Sequence, residues 1–184
     1  MRKIFLLTTS REPSYRTRSF LKDLAATLPC ILMIHRGKKT LLELALIARK
    51  YGVKYIGIVG ERKGNPSILK IYNTSLLTYQ RNVKPWVMLV FAGLSLSREL
   101  GIYHRPINVD SMSIDSMACI SDLCYRIADI FLTIFYPILS NNPDLEIVLK
   151  ENDGIVKISF RTRTGKACGP IIKVRRVIAN ESSS

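Results

Sequence analysis

Residues 8–20 read TTSREPSYRTRSF and join a short apolar run to a helical pattern. The apolar residues 4–8 predict a first strand, and Pro13 lies in the polar loop that follows it. Ser14 stands where a helix N-cap is expected, and the helix is predicted to run to about Leu28. The residues expected to face a sheet recur at helical spacing and are Thr17, Phe20, Leu21, Leu24 and Leu28.

The rest of the chain predicts a mixed α/β fold. The first 60 residues follow the order strand, helix, strand, helix, strand, which implies parallel pairing with helices against the sheet. Further strands are expected at residues 31–34, 53–59, 67–72, 76–83, 86–91, 145–150, 155–160 and 171–178. Turns are expected at Gly64-Asn65-Pro66 and at Asn152-Asp153-Gly154. No element is assigned to residues 93–105.

Two further helices are predicted, at residues 39–51 and within residues 113–136. The second would carry an apolar stripe of Ile120, Leu123, Ile127, Ile130 and Ile134. Another stripe would be acidic, with Asp115, Asp122 and Asp129 seven residues apart. Such a stripe is typical of a solvated or protein-contact face rather than a catalytic set.

The charge of the chain is unusual in size and in distribution. Lys and Arg number 28 against 14 Asp and Glu, a net charge of +14. Residues 1–63 hold 14 basic and 4 acidic groups, and residues 154–184 hold 7 and 1. Residues 111–153 reverse the sign, with 2 basic and 7 acidic groups. Two basic ends around an acidic middle indicate an oriented surface that favours a polyanion.

The loop and helix start at residues 9–18 suit a phosphate ligand. Unpaired N–H groups and the helix dipole attract an anion there. Hydroxyl donors come from Thr9, Ser10 and Ser14, and charged donors from Arg11, Arg16 and Arg18. Tyr15, Arg18 and Lys22 share one helix face, an arrangement that suits single-stranded or looped RNA. An equally consistent alternative is a solvated face with Ser14 as a plain cap.

This opening segment resembles that of Brix-domain proteins, which begin with a strand, a TTSR-x-PS turn and a helix ending at Leu-Pro. The matching residues here are 8–14, 16–20, Lys22-Asp23-Leu24 and Leu28-Pro29. Residues 64–71, which read GNPSILKI, resemble the family's second recognisable stretch. Asn73-Thr74-Ser75 stands where many members have Gly-Pro-Thr.

The resemblance implies an α/β fold of mixed sheets with packed helices, in which two similar anticodon-binding-domain-like lobes form one Brix domain. We expect this domain to span residues 1–180, with a lobe boundary near residues 85–110 and a polar tail at 181–184. It also implies a ribosome biogenesis factor that binds ribosomal RNA or its precursor and acts in rRNA processing without catalysis. The short chain looks like a minimal archaeal, cytoplasmic form.

Other basic residues extend the expected RNA-binding set. Arg36, Lys38 and Lys39 form a turn before the second helix, and Arg62 and Lys63 follow a strand end, where α/β sheets commonly bind ligands. Two further groups of basic residues lie near the C-terminus, one alternating out of a predicted strand and the other bordering the last strand. They form a second basic surface, or they protect exposed strand edges from aggregation. These are Arg161, Arg163 and Lys166, and then Lys173, Arg175 and Arg176.

Enzymatic and metal-binding readings find little support in the sequence. The glycine-rich residues 57–64 match neither a dinucleotide-binding nor a P-loop motif. Cys30, Cys119, Cys124, Cys168 and two histidines lack metal-ligand spacing, so buried reduced thiols and no cofactor are expected. No apolar run reaches the roughly 20 residues of a membrane span.

Two alternatives remain open. A nucleotide-dependent RNA-modifying enzyme would require nucleotide or methyl-donor binding. A protein-interaction module of an assembly complex, with little direct RNA binding, would dock ribosomal or assembly proteins through the acidic helix and the apolar region around Trp86.

Overall fold

The computed structural model describes residues 2–77 and 83–180, which form nine strands and three α-helices. The strands are β1 Phe5–Thr9, β2 Ile31–Met33, β3 Tyr55–Arg62, β4 Asn65–Asn73, β5 Val87–Ser95, β6 Met112–Ala118, β7 Leu145–Asn152, β8 Ile155–Thr162 and β9 Ala167–Ala179. The helices are α1 Tyr15–Thr27, α2 Leu41–Lys50 and α3 Asp122–Phe135. Short 3-10 turns lie at Thr74–Leu76, Ser97–Leu100 and Tyr136–Ile138.

All nine strands belong to one mixed sheet in the order β2-β1-β3-β4-β5-β9-β8-β7-β6. Strand β1 pairs in parallel with β2 and β3, which confirms the predicted opening unit. Strands β6 and β7 are also parallel, and the other neighbouring pairs are antiparallel. Because β5 and β9 are adjacent, the sheet runs through both halves of the chain. A lobe boundary near residues 85–110 stays a prediction.

The helices cover the two faces of this sheet unequally. Helices α1 and α3 share one large core cluster with strands from both halves, which includes Leu24, Ile127 and Leu149. Helix α2 packs on the opposite face, where Leu44 meets Ile56 of β3. Within the described ranges, no helix packs over β7, β8 and β9 on that second face. We call this uncovered area the open face.

Helix α1 begins and ends as predicted. The Ser14 side chain accepts a hydrogen bond from the Thr17 N–H and so caps the helix. The predicted inward residues are all buried: Thr17, Phe20, Leu21, Leu24 and Leu28. Helix α2 starts with a reciprocal capping box between Thr40 and Glu43, and its end is followed by Gly52 at a positive φ of 67°.

The helix predicted within residues 113–136 is confirmed as α3, but it starts later than the two predicted stripes require. Residues 112–118 form β6, because Met112 and Ile114 alternate with a period of two and lie opposite Leu145 and Ile147 of β7. The helix starts only after the Ser121 cap. Asp115 therefore does not belong to an acidic helix stripe, and Ile120 leaves the apolar stripe because its side chain is 85% exposed.

Several strand boundaries also differ from the expectations. The tight turn after β3 consists of Lys63 and Gly64, so Asn65 already pairs with Arg62 at the start of β4. Most of the predicted strand at 76–83 consists of residues 78–82, which lie outside the described residues. The predicted tail at 181–184 also lies outside them. The hairpin at Asp153-Gly154 is confirmed, with both residues at positive φ.

The expectation of four reduced cysteines is wrong for two of them. Cys119 and Cys124 form a disulfide across the turn between β6 and α3, where their Cα atoms lie 5.3 Å apart. Cys30 and Cys168 are free and buried. Burial raises the pKa of Cys30 to about 12 and that of Cys168 to about 11, so both thiols are inert at neutral pH.

Candidate nucleic-acid interface

The parallel strands β1, β2 and β3 bring their carboxyl ends to one edge of the sheet. The Ser10 N–H donates to the Val59 carbonyl at 2.8 Å, which holds the loop after β1 beside the end of β3. The loops at this edge carry six of the predicted cations, and α1 adds two more beside them. We call the eight together the basic edge: Arg11, Arg18, Lys22, Arg36, Lys38, Lys39, Arg62 and Lys63.

One flank of α1 opens directly onto this edge. A cleft of about 110 Å³ lies between α1 and the end of β2, and its lining includes Arg18, Lys22, Thr9 and His35. Arg18 and Lys22 are exposed, as expected from the sequence. None of the eight basic-edge residues forms an ion pair with a carboxylate in the part of the chain that the structure describes. Their charges therefore remain available to an anion.

Two guanidinium nitrogens of the half-buried Arg36 lack a hydrogen-bond partner in the described chain. Its Nε and Nη1 atoms are buried and find no hydrogen-bond acceptor among residues 2–77 and 83–180. Burial, followed by the nearby positive charge of Arg11, lowers its pKa. A buried donor without an acceptor is costly. An anion shared by Arg11 and Arg36 would offset both the repulsion and the missing acceptor.

The start of α1 is occupied by a side chain of the protein itself. The Glu61 carboxylate accepts hydrogen bonds from the Ser14 N–H at 3.0 Å and the Thr17 hydroxyl at 2.6 Å. The Ser14 hydroxyl donates to the Gly64 carbonyl at 2.8 Å. The helix dipole thus already has an anion in the Glu61 carboxylate, which leaves less need for a phosphate at this helix start. Ser14 serves to fasten α1 to the β3–β4 hairpin.

The pKa of Glu61 is lowered by these contacts. Burial alone would raise it, but the hydrogen bonds from Thr17 and Ser14, with the charge of Arg18, outweigh that effect. A carboxyl group whose pKa is lower in the folded than in the unfolded chain stabilises the fold above its unfolded pKa of about 4.3. That contribution is lost as the pH falls through the folded pKa.

We expect Glu61→Gln to lower the free energy of unfolding by about 1 kcal/mol at pH 7, because neutral hydrogen bonds replace charged ones. The difference from wild type should disappear as the pH falls below about 4, where the unfolded and then the folded carboxyl group are protonated. Thermal denaturation from pH 7 to pH 3 measures this. A difference that stays constant with pH would contradict the role of the Glu61 charge.

Arg16 was expected to contact phosphate, but the structure places it in an internal ion pair. Its guanidinium binds Glu99, with one Nη2–Oε2 distance of 2.9 Å, and donates to the Leu94 carbonyl at 3.1 Å. Glu99 also accepts from the Leu96 N–H, and these contacts, Arg16 first, lower its pKa. Arg16 therefore attaches α1 to the 3-10 turn after β5.

Tyr15 lies on the outward side of α1 and is 68% exposed. The guanidinium carbon of Arg98 lies 5.6 Å from the centroid of its ring, a cation–π distance. Arg98 stands on the 3-10 turn, on the flank of α1 opposite Arg18. Tyr15 therefore lies between the basic edge and a second group of polar residues.

That second group lines a cleft of about 140 Å³, which was not predicted from the sequence. Its lining includes Asp23, Arg98, Tyr103, His104 and Arg105. Asp23 accepts a hydrogen bond from the Ser97 N–H at 2.8 Å. Residues 93–105 have no helical or strand periodicity beyond β5, so no local signal could have assigned them to a site. Only the packing of the turn against α1 brings them there.

Some residues of the predicted acidic stripe and of the second basic surface form ion pairs within the protein. Arg161 of β8 forms ion pairs with Glu146 of β7 and with Asp115 of β6. These contacts, Glu146 first, raise the pKa of Arg161. Trp86 is half-buried and packs on Tyr55, with ring centroids 5.4 Å apart, so part of its ring is already covered within the fold.

The described chain lacks both a metal-binding cluster and a membrane-spanning helix. No three His, Cys, Asp or Glu side chains within it are placed to hold a metal ion. Among the described helices, none has the length and apolar character needed to cross a membrane.

Comparison with known proteins gives a consistent set of relatives, although no family model matches the sequence. A probable Brix domain-containing ribosomal biogenesis protein of Pyrobaculum aerophilum is 34% identical over 181 residues, which cover 94% of each chain. A protein of the same description from Aeropyrum pernix is 44% identical over 93 residues, and the aligned part is 50% of either chain.

Two solved structures share the fold. The crystal structure of a probable ribosomal biogenesis protein from Aeropyrum pernix superposes with a TM-score of 0.79 at 31% identity, covering 94% of this chain and 95% of that one. Mil, an archaeal Imp4-like protein, gives a TM-score of 0.65 at 20% identity, covering 95% and 99%. The second likeness concerns the fold alone.

Proposed function

The chain belongs to the Brix domain-containing ribosomal biogenesis proteins, and we propose that it binds precursor ribosomal RNA during assembly of a ribosomal subunit. Membership of this family supports a general role in ribosome biogenesis. The main support for direct RNA contact is the basic edge. Eight cations from three strand ends and one helix lie together there, and none of them forms an ion pair among the described residues. Phosphate contacts of this kind supply most of the affinity for RNA.

In this proposal the protein holds RNA and catalyses no reaction on it. Arg11, Arg18, Lys22 and Arg36 contact the phosphate backbone along the edge, and Tyr15 stacks on a base beside them. Arg16 and Ser14 take no part, because their side chains hold α1 in place. The protein would keep a segment of precursor RNA in one shape, in the archaeal cytoplasm, until processing and assembly proceed.

A second candidate function is docking of a basic protein partner. Met117 near the end of β6 is 95% exposed, and Ile120 is 85% exposed on the turn that the Cys119–Cys124 disulfide closes. Two backbone N–H groups of this turn donate to Glu151, which holds its shape. Exposed apolar residues within an acidic stretch suit a partner with a basic, partly apolar segment. This surface includes the end of β6, the outermost strand on this side of the sheet.

The test is RNA binding across a salt titration. We compare the wild type with Arg18→Gln/Lys22→Gln/Lys38→Gln, using single-stranded fragments of precursor rRNA. With about 0.7 released ions per phosphate contact, three lost contacts flatten the salt slope by about 2 and weaken binding roughly 50-fold at about 0.15 M salt. Lys50→Gln/Lys54→Gln/Lys84→Gln removes the same charge away from the edge and is the control.

The outcome separates the two candidate functions. Equal losses in both triple variants would mean that the net charge, rather than the basic edge, attracts RNA. Failure of the wild type to bind any fragment would contradict the RNA proposal and leave docking through Met117 and Ile120 as the better candidate.

A further inference from the structure

Three lysines lie directly opposite one another across three neighbouring strands. Lys150 of β7 pairs in register with Lys157 of β8, and Lys157 pairs with Lys173 of β9. All three side chains are exposed. Side chains of directly opposed residues stand on the same face with Cβ atoms about 5 Å apart. We call these three residues the lysine row.

The lysine row crosses the open face of the sheet. In the first half of the chain the corresponding face is covered by α2, but β7, β8 and β9 carry no such cover among the described elements. Arg175, two residues beyond Lys173 on the same strand, is also exposed and extends the positive charge. The row is therefore accessible along its whole length, and it lies on a different face from α1.

This arrangement is unfavourable for the protein alone. Like charges directly opposite on neighbouring strands destabilise a sheet. Protection of strand edges does not explain them, because all three strands are internal to the sheet. Within residues 2–77 and 83–180 none of the three forms an ion pair. On the same face, by contrast, Arg161 of β8 is neutralised by Glu146 directly opposite.

We infer that the lysine row binds the phosphate backbone of RNA, as a second contact surface separate from the basic edge. A polyanion with charges repeated along a chain fits a row of cations on an open sheet, and it relieves their repulsion on binding. This inference rests on the proposed function and adds to it that both halves of the fold hold RNA.

The experiment measures stability and binding of Lys150→Gln/Lys157→Gln/Lys173→Gln. Without RNA, relief of two like-charge pairs should raise the Tm by about 3 °C at low salt, and the gain should shrink at high salt. With precursor rRNA fragments, the variant should bind roughly 50-fold more weakly at about 0.15 M salt, with a salt slope flatter by about 2. Stability and binding thus change in opposite directions.

The Lys50→Gln/Lys54→Gln/Lys84→Gln variant again serves as the charge-matched control, because these lysines oppose no other lysine. It should show neither the rise in Tm nor the flatter slope. RNA binding that depends on Arg18 and Lys22 but is unchanged in the lysine-row variant would overturn this inference and leave the proposed function standing. Binding of the row to phosphatidylserine vesicles, with RNA affinity unchanged, would overturn it as well.

Discussion

Replacement of Phe20 by alanine is expected to lower the free energy of unfolding by about 4 kcal/mol. Phe20 is 1% exposed and projects from α1 into the core that α1 and α3 share. Its ring meets the ring of Phe91 on β5 edge to face, with centroids 6.2 Å apart. Alanine would leave a cavity between α1 and the sheet that neighbouring side chains fill only in part. Urea unfolding followed by circular dichroism measures the loss.

Two variants on the same helix serve as controls for this prediction. Phe20→Leu keeps most of the buried volume and should cost less than half as much. Tyr15→Ala removes an exposed ring and should change stability by no more than about 0.5 kcal/mol. A loss below about 1 kcal/mol for Phe20→Ala would contradict the assignment of this ring as the main anchor of α1.

Gly169→Ala is expected to destabilise the fold by about 3 kcal/mol, for two separate reasons. Gly169 on β9 has a positive φ of 70°, which alanine adopts only with strain. Its added Cβ would also overlap the Thr27 hydroxyl at the end of α1 and lie 2.7 Å from Thr27 Cγ2. The helix would have to move away from the strand. Thermal and urea denaturation of the single variant measure the total.

A double-mutant cycle separates the two causes. Thr27→Ala removes the two closest atoms that the new Cβ meets, so the double variant should be more stable than the sum of the single effects by about 1 kcal/mol. Gly101→Ala is the matched control, since Gly101 has a φ of 66° but no atom within 4 Å of the added Cβ. It should cost only about 1 kcal/mol. Equal costs at Gly101 and Gly169 would show that the contact with Thr27 is unimportant.

These two positions explain how α1 can serve as a binding element. Phe20 attaches it to β5 from the first half of the chain, and Gly169 lets it approach β9 from the second half. Glu61 and Glu99 fix its first turn from either side. The exposed residues of α1 therefore stand on a well-anchored support, which would position the proposed phosphate contacts at small entropic cost.

Much of the basic edge follows from local sequence. Arg11, Arg36 and Arg62 each follow a predicted strand, and parallel strands end at a common edge. The spacing of Arg18 and Lys22 places them on the outer side of an amphipathic helix. Both arguments need only neighbouring residues, so they remain valid without knowledge of the tertiary contacts. Whether these cations bind RNA stays a prediction.

The roles of Arg16 and Ser14 could not be inferred in the same way. Arg16 pairs with a carboxylate 83 residues away, and the partner of the Ser14 N–H is 47 residues away. A sequence shows that both residues suit an anion but not whether the fold already supplies one. Asp115 was misassigned for a related reason, because its strand exists only through pairing with β7.

Local patterns were enough to predict the opening βαβ unit, the cap and buried face of α1, the hairpin at Asp153-Gly154 and the unequal distribution of charge. Periodicity, capping and turn preference act over a few residues, so these predictions need no tertiary contacts. The three-dimensional fold was needed to show which cations of the described chain form ion pairs and which do not. It also decided the register that places Lys150, Lys157 and Lys173 side by side on the open face. Cross-strand register and ion pairing depend on residues far apart in the chain, and no local pattern specifies them.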